Sequence, residues 1–255
     1  MNYEKEMTVG AAIARKAGAL ALEIREGHFG IEIKSDESPV TAADKACEKL
    51  IVHEIQKEFP GDGILGEEGA ALESTNGRRW IIDPIDGTKS FVRGVPLWGS
   101  LVAVLEGEHV IAGAASFPAT RETIAAAAGC GCWYNGTRAA VSAISSLDAA
   151  TVLTSDDRTF APDGLLNGWK ALASRSPVVR TWGDAFGYLL VATGRADVMV
   201  DAIVNAWDIA CFVPIIEEAG GVFTDFAGRV TAFGGNAIAT NAALAAESRK
   251  ILCST

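Results

Sequence analysis

Apolar residues recur at every third or fourth position across residues 4–26, where Met7, Ala11, Ala14, Ala17, Ala21 and Ile24 draw one stripe. That spacing predicts an amphipathic helix, and Gly27 predicts its end. A short strand, FGIEIK, is expected next. After Pro39 a second helix is predicted over about 41–58, with Ala43, Cys47, Leu50, Ile55 and Phe59 roughly on one side. Asp44 falls in its first turn, where the helix dipole favours an anion. Residues 63–69 read as a Gly-rich loop carrying Glu67 and Glu68, and STNGRR at 74–79 as a polar turn. Strands are predicted at about 80–83, 98–106, 109–118 and 122–129, with Glu106-Gly107-Glu108 as a hairpin turn. So many neighbouring strands predict an antiparallel sheet.

The pattern changes near residue 140. TVLTSD, VVRTW, ADVMVD, GVFTDF and NAIATN read as strands. PDGLLNGWKALA, GDAFGYLLVATG, AWDIACFVPIIEEAG and AALAAESRKIL read as helices between and after them. This alternation predicts a layered α/β unit. The chain is therefore expected to have an N-terminal α+β half over 1–140 with most of the candidate acids, and a C-terminal α/β half over 141–255. No repeat or low-complexity linker separates them.

Charge narrows the range of partners. The net charge is -10 and the pI about 4.8. An acidic surface disfavours polymeric nucleic acid and anionic membranes. It does not disfavour a small phosphate ester, because a local metal site can reverse the field. No run of 18 apolar residues occurs, and MNYEKEMTVG is polar, so a cytoplasmic protein is expected. The cysteines are Cys47, Cys130, Cys132, Cys211 and Cys253, an odd number with no disulfide-framework spacing. Cys130-Gly-Cys132 resembles half of a metal knuckle and lacks the other half.

The richest local chemistry is WIIDPIDGTKSF at 80–91. An apolar run ends in two aspartates three apart, Asp83 and Asp86. Like charges held close repel unless a cation or proton lies between them. Asp44, Glu67 and Asp208 also fall near element ends. The three histidines are scattered, so a carboxylate-rich site suits a hard cation, Mg²⁺ or Mn²⁺, better than zinc. The backbone carbonyl of Ile85 can point inward between the two aspartates, and Pro84 stiffens the turn. Gly87 permits close approach of backbone to a phosphate, and Thr88 offers a hydroxyl to position water. Together these suit metal-assisted phosphoryl transfer to water. The same string also fits a polar turn with solvated aspartates. No GxxxxGK[ST] or G-x-S-x-G occurs, and the aspartate spacing differs from that of aspartyl-phosphate phosphatases.

On these residues the chain resembles the inositol monophosphatase superfamily of Mg²⁺-dependent, lithium-sensitive phosphatases. The motifs are SPVTAADK at 38–45, GEE at 66–68, WIIDPIDGTKSFVRGVP at 80–96 and NAWDIACFVPIIEEAGGVFTD at 205–225, in family order. The resemblance implies a layered α-β-α-β-α sandwich, a homodimer and two to three Mg²⁺ per site, with Mn²⁺ as a possible substitute. It implies that Glu67, Asp83 and the carbonyl of Ile85 hold a first metal, and that Asp83, Asp86 and Asp208 hold a second. A weaker third involves Glu67 and, through water, Asp44. Glu67 and Thr88 match the pair that orients the attacking water, and Gly87 and Thr88 match the phosphate-binding amides.

Within the superfamily, DPIDGTKSFVRGVPLWGSLVAV at 83–104 and WGDAFGYLLVATGRADVMVD at 182–201 are most similar to the histidinol-phosphate branch. The inositol branch usually carries Thr-Asn-Phe-x-His-x-Phe-Pro after Asp-Gly-Thr, where this chain has Lys89 to Pro96. Its Ile-His-Cys before Trp-Asp is replaced here by Val204-Asn205-Ala206. The implied reaction is hydrolysis of L-histidinol phosphate, with inositol 1-phosphate or a sugar phosphate as the alternative substrate. A non-catalytic phosphate-binding protein is the alternative of another class, and it gives no reason for Glu67 and Thr88. Asp184 and Asp201 are the expected substrate carboxylates, since either could meet a protonated amine.

Overall fold

The computed structural model describes residues 2–27, 31–33, 39–161 and 164–254. Its elements run α1 (Glu4–Glu26), β1 (Ile31–Ile33), β2 (Pro39–Thr41), α2 (Ala42–Glu58), β3 (Gly63–Gly66), β4 (Ala71–Leu72), β5 (Arg78–Asp86) and α3 (Thr88–Arg93). They continue through β6 (Gly99–Glu106), β7 (His109–Phe117), β8 (Glu122–Ala127), β9 (Gly131–Tyr134), β10 (Thr137–Arg138), β11 (Thr151–Leu153), α4 (Leu166–Ser174) and β12 (Val178–Arg180). The last are α5 (Ala185–Ala192), β13 (Val198–Asp201), α6 (Ala206–Ile209), α7 (Phe212–Glu218), β14 (Gly221–Thr224), β15 (Ala237–Asn241) and α8 (Ala245–Leu252).

Two sheets organise the molecule. The larger has the order β10-β9-β8-β7-β6-β5-β3-β4 and is antiparallel except where β3 runs parallel to β5. The smaller has the order β12-β11-β13-β15-β14, with β11 parallel to β12 and β13. Helices α1 and α2 cover one face of the larger sheet, and Ala14, Ala17, Ala21 and Cys47 are buried there. Between the sheets lie α5, α6 and α7, packed around Tyr188, Phe212 and Phe223. Outside the smaller sheet, α4 and α8 close a third core around Phe160 and Trp169. The result is a five-layer α-β-α-β-α sandwich, the fold class expected from the sequence.

Several local expectations change. Residues 63–66 form a strand, not a loop, because they pair with β5 from Gly63↔Arg79 to Gly66↔Ile82. Their glycines answer crowding: a Cβ on Gly63 would lie 2.8 Å from the Leu72 carbonyl. The expected helix over 206–220 is split into α6 and α7. Pro214 has no N–H to give the Ala210 carbonyl, which interrupts the ladder there. The β9–β10 hairpin was not expected; Cys132 is buried in it. Glu218, at the end of α7, accepts hydrogen bonds from the amides of Gly129 and Gly131 at 2.8 and 2.6 Å. His28, Ser38, the Phe29, Gly30 and Lys34 positions of the first expected strand, and Pro162 and Asp163 of an expected helix lie outside the described residues. No helix among the described residues is long and apolar enough to cross a membrane.

Candidate active site

The site begins with an irregularity in β5. Residues three apart on a regular strand face opposite sides. Here Asp83 pairs with Leu101 and Asp86 with Gly99, so β5 carries one residue more than β6 between those pairs. Such a bulge re-aims side chains, and it turns both carboxylates to one side. Pro84 sits within it, where a missing N–H costs no ladder bond. The Pro84 carbonyl accepts from the Ser100 hydroxyl at 2.7 Å.

Other elements bring acids to the same place. The Glu67 amide donates to the Ile82 carbonyl at 3.2 Å, so the turn after β3 sets Glu67 beside Asp83. Asp208 sits in α6, and its Oδ2 accepts from the Asn205 amide at 2.7 Å. One ligand oxygen from each of Asp83, Asp86 and Asp208 lies within 4.8 Å of the others. Gly87 at φ 75° turns the chain into α3. The Thr88 hydroxyl donates to the Ile85 carbonyl at 2.9 Å, with the buried Asp44 carboxylate 3.5 Å away.

These groups surround a cavity of about 230 Å³ lined by Glu67, Asp83, Ile85, Asp86, Gly87, Thr88, Lys89, Asp184 and Asp208. A smaller one of about 80 Å³ shares Asp86, Asp184 and Asp208 with it and adds Ser155, Tyr188, Asp201 and Ile203. Every expected site residue except Asp44 and Asp201 lines the first cavity; Asp201 lines the second. Arg195 pairs with Glu122 at 2.6 Å. Trp98 is buried, whereas Trp182 is 43% exposed with the Arg180 guanidinium over its ring.

Electrostatics indicate what the cluster can hold. Burial, then the carboxylates of Glu67, Asp86 and Asp208, push the Asp83 carboxyl well above its ordinary value. Burial with Asp184 and Asp208 does the same to Asp86. Asp208 is pushed up to about 7, chiefly by burial, against the hydrogen bond from the Asn205 amide. Asp83 Oδ1 is buried with no hydrogen-bond partner. An all-oxygen cluster with an orphaned carboxylate oxygen fits a hard divalent cation, which would relieve both the crowding and the orphan.

Sequence reasoning missed several residues. Lys89 lines the main cavity, the only cationic side chain among its lining residues. Glu48 is buried and accepts from the amides of Glu68 and Ala70 at 2.9 and 3.0 Å, which shapes the turn carrying Glu67. Its signal was present: a charged residue beside Cys47 on the apolar side of α2. Ser155 and Tyr188 gave none, because their partners are distant in sequence.

Comparison with known proteins agrees with the fold. The profile of the Inositol monophosphatase family matches residues 2–254. A histidinol-phosphatase of Chlorobaculum parvum is 41% identical over 91% of this chain and 90% of its own. One from Mycobacterium tuberculosis is 38% identical over 94% of each. A fructose-1,6-bisphosphatase/inositol-1-monophosphatase of Thermotoga maritima is 36% identical over 84% of this chain and 82% of its own. Among solved structures, an extragenic suppressor protein of Bartonella henselae superposes with a TM-score of 0.91 at 28% identity, covering 98% of this chain and 99% of that one.

Proposed function

The chain belongs to the inositol monophosphatase family and is a phosphatase, and we propose that it hydrolyses L-histidinol phosphate to L-histidinol and phosphate using Mg²⁺. The observation that carries the substrate is the second cavity. Apart from the proposed metal ligands Asp86 and Asp208, its charged lining residues are Asp184 and Asp201, with no cationic side chain among them. A leaving group seated there meets negative charge, which favours an ammonium and opposes a second phosphate. The histidinol-phosphatase relatives support the same reading.

In this proposal Glu67, Asp83, the Ile85 carbonyl, Asp86 and Asp208 hold the cations, and Asp44 supports a weaker one. When bound, the cations activate a water and neutralise charge on the phosphoryl and leaving oxygens. Glu67 and the Thr88 hydroxyl orient the water. The amides of Gly87 and Thr88 hold the phosphate oxygens. Asp184, exposed to the main cavity, faces the leaving group, and Asp201 backs it. Residues 1–140 would supply most metal ligands, and 141–255 Asp208 and the specificity residues. A homodimer, proposed on the family resemblance, is testable by sedimentation.

A second reading keeps the chemistry and changes the substrate to inositol 1-phosphate or a sugar phosphate, as the Thermotoga maritima relative's name suggests. One comparison decides between them. At saturating Mg²⁺, kcat/KM for L-histidinol phosphate should exceed that for myo-inositol 1-phosphate and fructose 1,6-bisphosphate by at least about tenfold, roughly 1.4 kcal/mol. Preference for inositol 1-phosphate would remove the histidinol assignment and leave the phosphatase.

A further inference from the structure

Asp184 is a non-glycine residue at φ 51° and ψ -157°. A side-chain-bearing residue holds such a conformation only where its surroundings over-determine it. The fastening is visible on both sides. The Asp184 amide donates to Ser155 Oγ at 2.7 Å, and the Ala185 amide to Asp86 Oδ2 at 2.7 Å. Between Ser155 and the corner there is no spare room: a Cβ on Gly183 would lie 2.1 Å from Ser155 Cα.

Ser155 is itself held by Asp201. The Ser155 amide donates to Asp201 Oδ1 at 2.8 Å. Thr154 Oγ1 donates to the same oxygen at 3.4 Å. The other oxygen, Oδ2, accepts from the Tyr188 hydroxyl at 3.0 Å. Tyr188 lies in α5, the helix that Asp184 precedes, so Asp201 ties the end of β11 to that helix and closes a ring of bonds behind the corner. Asp201 is 4% exposed, with both oxygens engaged within the protein.

We infer that Asp201 and Ser155 are positioning residues: they fix the Asp184 corner so that its carboxylate, rather than that of Asp201, selects a cationic leaving group. This rests on the reading of Asp184 as the leaving-group carboxylate. It divides two acids that look equivalent in sequence. Asp184 Oδ2 lies 3.2 Å from where a Gly87 Cβ would stand, against the phosphate-binding turn. Asp201 faces inward to Ser155 and Tyr188. A rigid acid beside the turn discriminates by charge without an ordering cost at binding.

The test uses the Mg²⁺-loaded full-length enzyme with L-histidinol phosphate and glycerol 2-phosphate. Ser155→Ala, Asp201→Asn, Asp184→Asn and the Asp184→Asn/Asp201→Asn double variant are compared with wild type. Ser155→Ala and Asp201→Asn should each raise KM for histidinol phosphate about tenfold while changing kcat/KM for glycerol 2-phosphate less than about twofold. The double variant should lose no more than Asp184→Asn alone, within about twofold, because Asp201 acts through Asp184. Equal losses on both esters would mean a merely structural role and overturn the inference. An additive double variant would mean direct contact by Asp201 and overturn it too. Preference retained in both single variants overturns the relay alone, whereas a wild type without preference overturns the relay and the substrate reading together. Should Asp201→Asn fail to fold, Ser155→Ala singly and combined with Asp184→Asn decides by the same criteria.

Discussion

The backbone amide of Ala185 donates a 2.7 Å hydrogen bond to Oδ2 of Asp86. One carboxylate of the acidic cluster thus also caps the first turn of α5, next to the acid proposed to face the leaving group. Asp86→Asn keeps an acceptor oxygen for that amide while removing a charge from the cluster; Asp86→Ala removes both. Both variants should lose at least about a hundredfold in Mg²⁺-dependent turnover. They should separate in thermal melting with chelator. The Asn variant should melt at or above wild type, because carboxylate crowding is relieved, and the Ala variant below it. Equal melting of the two would show that the amide bond contributes nothing.

Thr88→Ala separates catalysis from binding. The hydroxyl donates to the Ile85 carbonyl and sits 3.5 Å from Asp44, and it is not one of the clustered carboxylates. Its removal should lower kcat by about 10²–10³ while phosphate affinity is largely kept. Steady-state kinetics with phosphate as product inhibitor measures both. An unchanged kcat would assign water orientation elsewhere.

Much of this was legible in the sequence because it is local. The 23-residue α1 follows from its alanine stripe, and the Gly87 turn from the string around it. The acids Asp83 and Asp86 announce themselves by spacing, yet their common direction depends on a bulge that only pairing with β6 creates. Gly63 and Gly66 suggest a loop to any local reading; they are glycines because Leu72 and Glu48 crowd a strand. Asp184 and Asp201 look alike as element-end acids. What distinguishes them is Ser155 and Tyr188, brought in by the smaller sheet and α5. The broken helix after Asp208 was foreshadowed by Pro214.

Gly113 shows how the smaller half reaches the larger sheet. A Cβ there would lie 2.3 Å from the Cys211 carbonyl oxygen and 2.6 Å from Cys211 Cα. Both are backbone atoms at the joint between α6 and α7, and Asp208 lies on that joint's near side. Gly113→Ala should destabilise by about 1–3 kcal/mol or more, as overpacking does. It should also weaken Mg²⁺ affinity, because a shift of the joint away from the sheet carries Asp208 away from Asp83 and Asp86. Melting curves and an activity titration with Mg²⁺ check the two parts. A variant with normal melting and a normal Mg²⁺ requirement would refute the packing argument.

The acidic cluster also dictates how stability without metal depends on pH. Asp208 stands at about 7 in the fold, against about 3.9 for an aspartate in an unfolded chain. Below the unfolded value both states are protonated, and the stability that protonation brings is fully present. As pH rises from about 4 to about 7 the unfolded chain releases its proton first, so the folded state binds more protons and stability falls. Above the folded value that contribution is gone. Asp83 and Asp86, raised in the same direction, add to the trend. Asp208→Asn removes one of these carboxyls. In chelator, the variant should melt close to wild type at about pH 4 and clearly above it at about pH 8. Saturating Mg²⁺ should stabilise wild type most at the higher pH, where the carboxylates are charged, and the variant much less. A difference between the two proteins that stays constant across this range would mean that Asp208 titrates as an ordinary surface aspartate, and the crowding account of the site would fall with it.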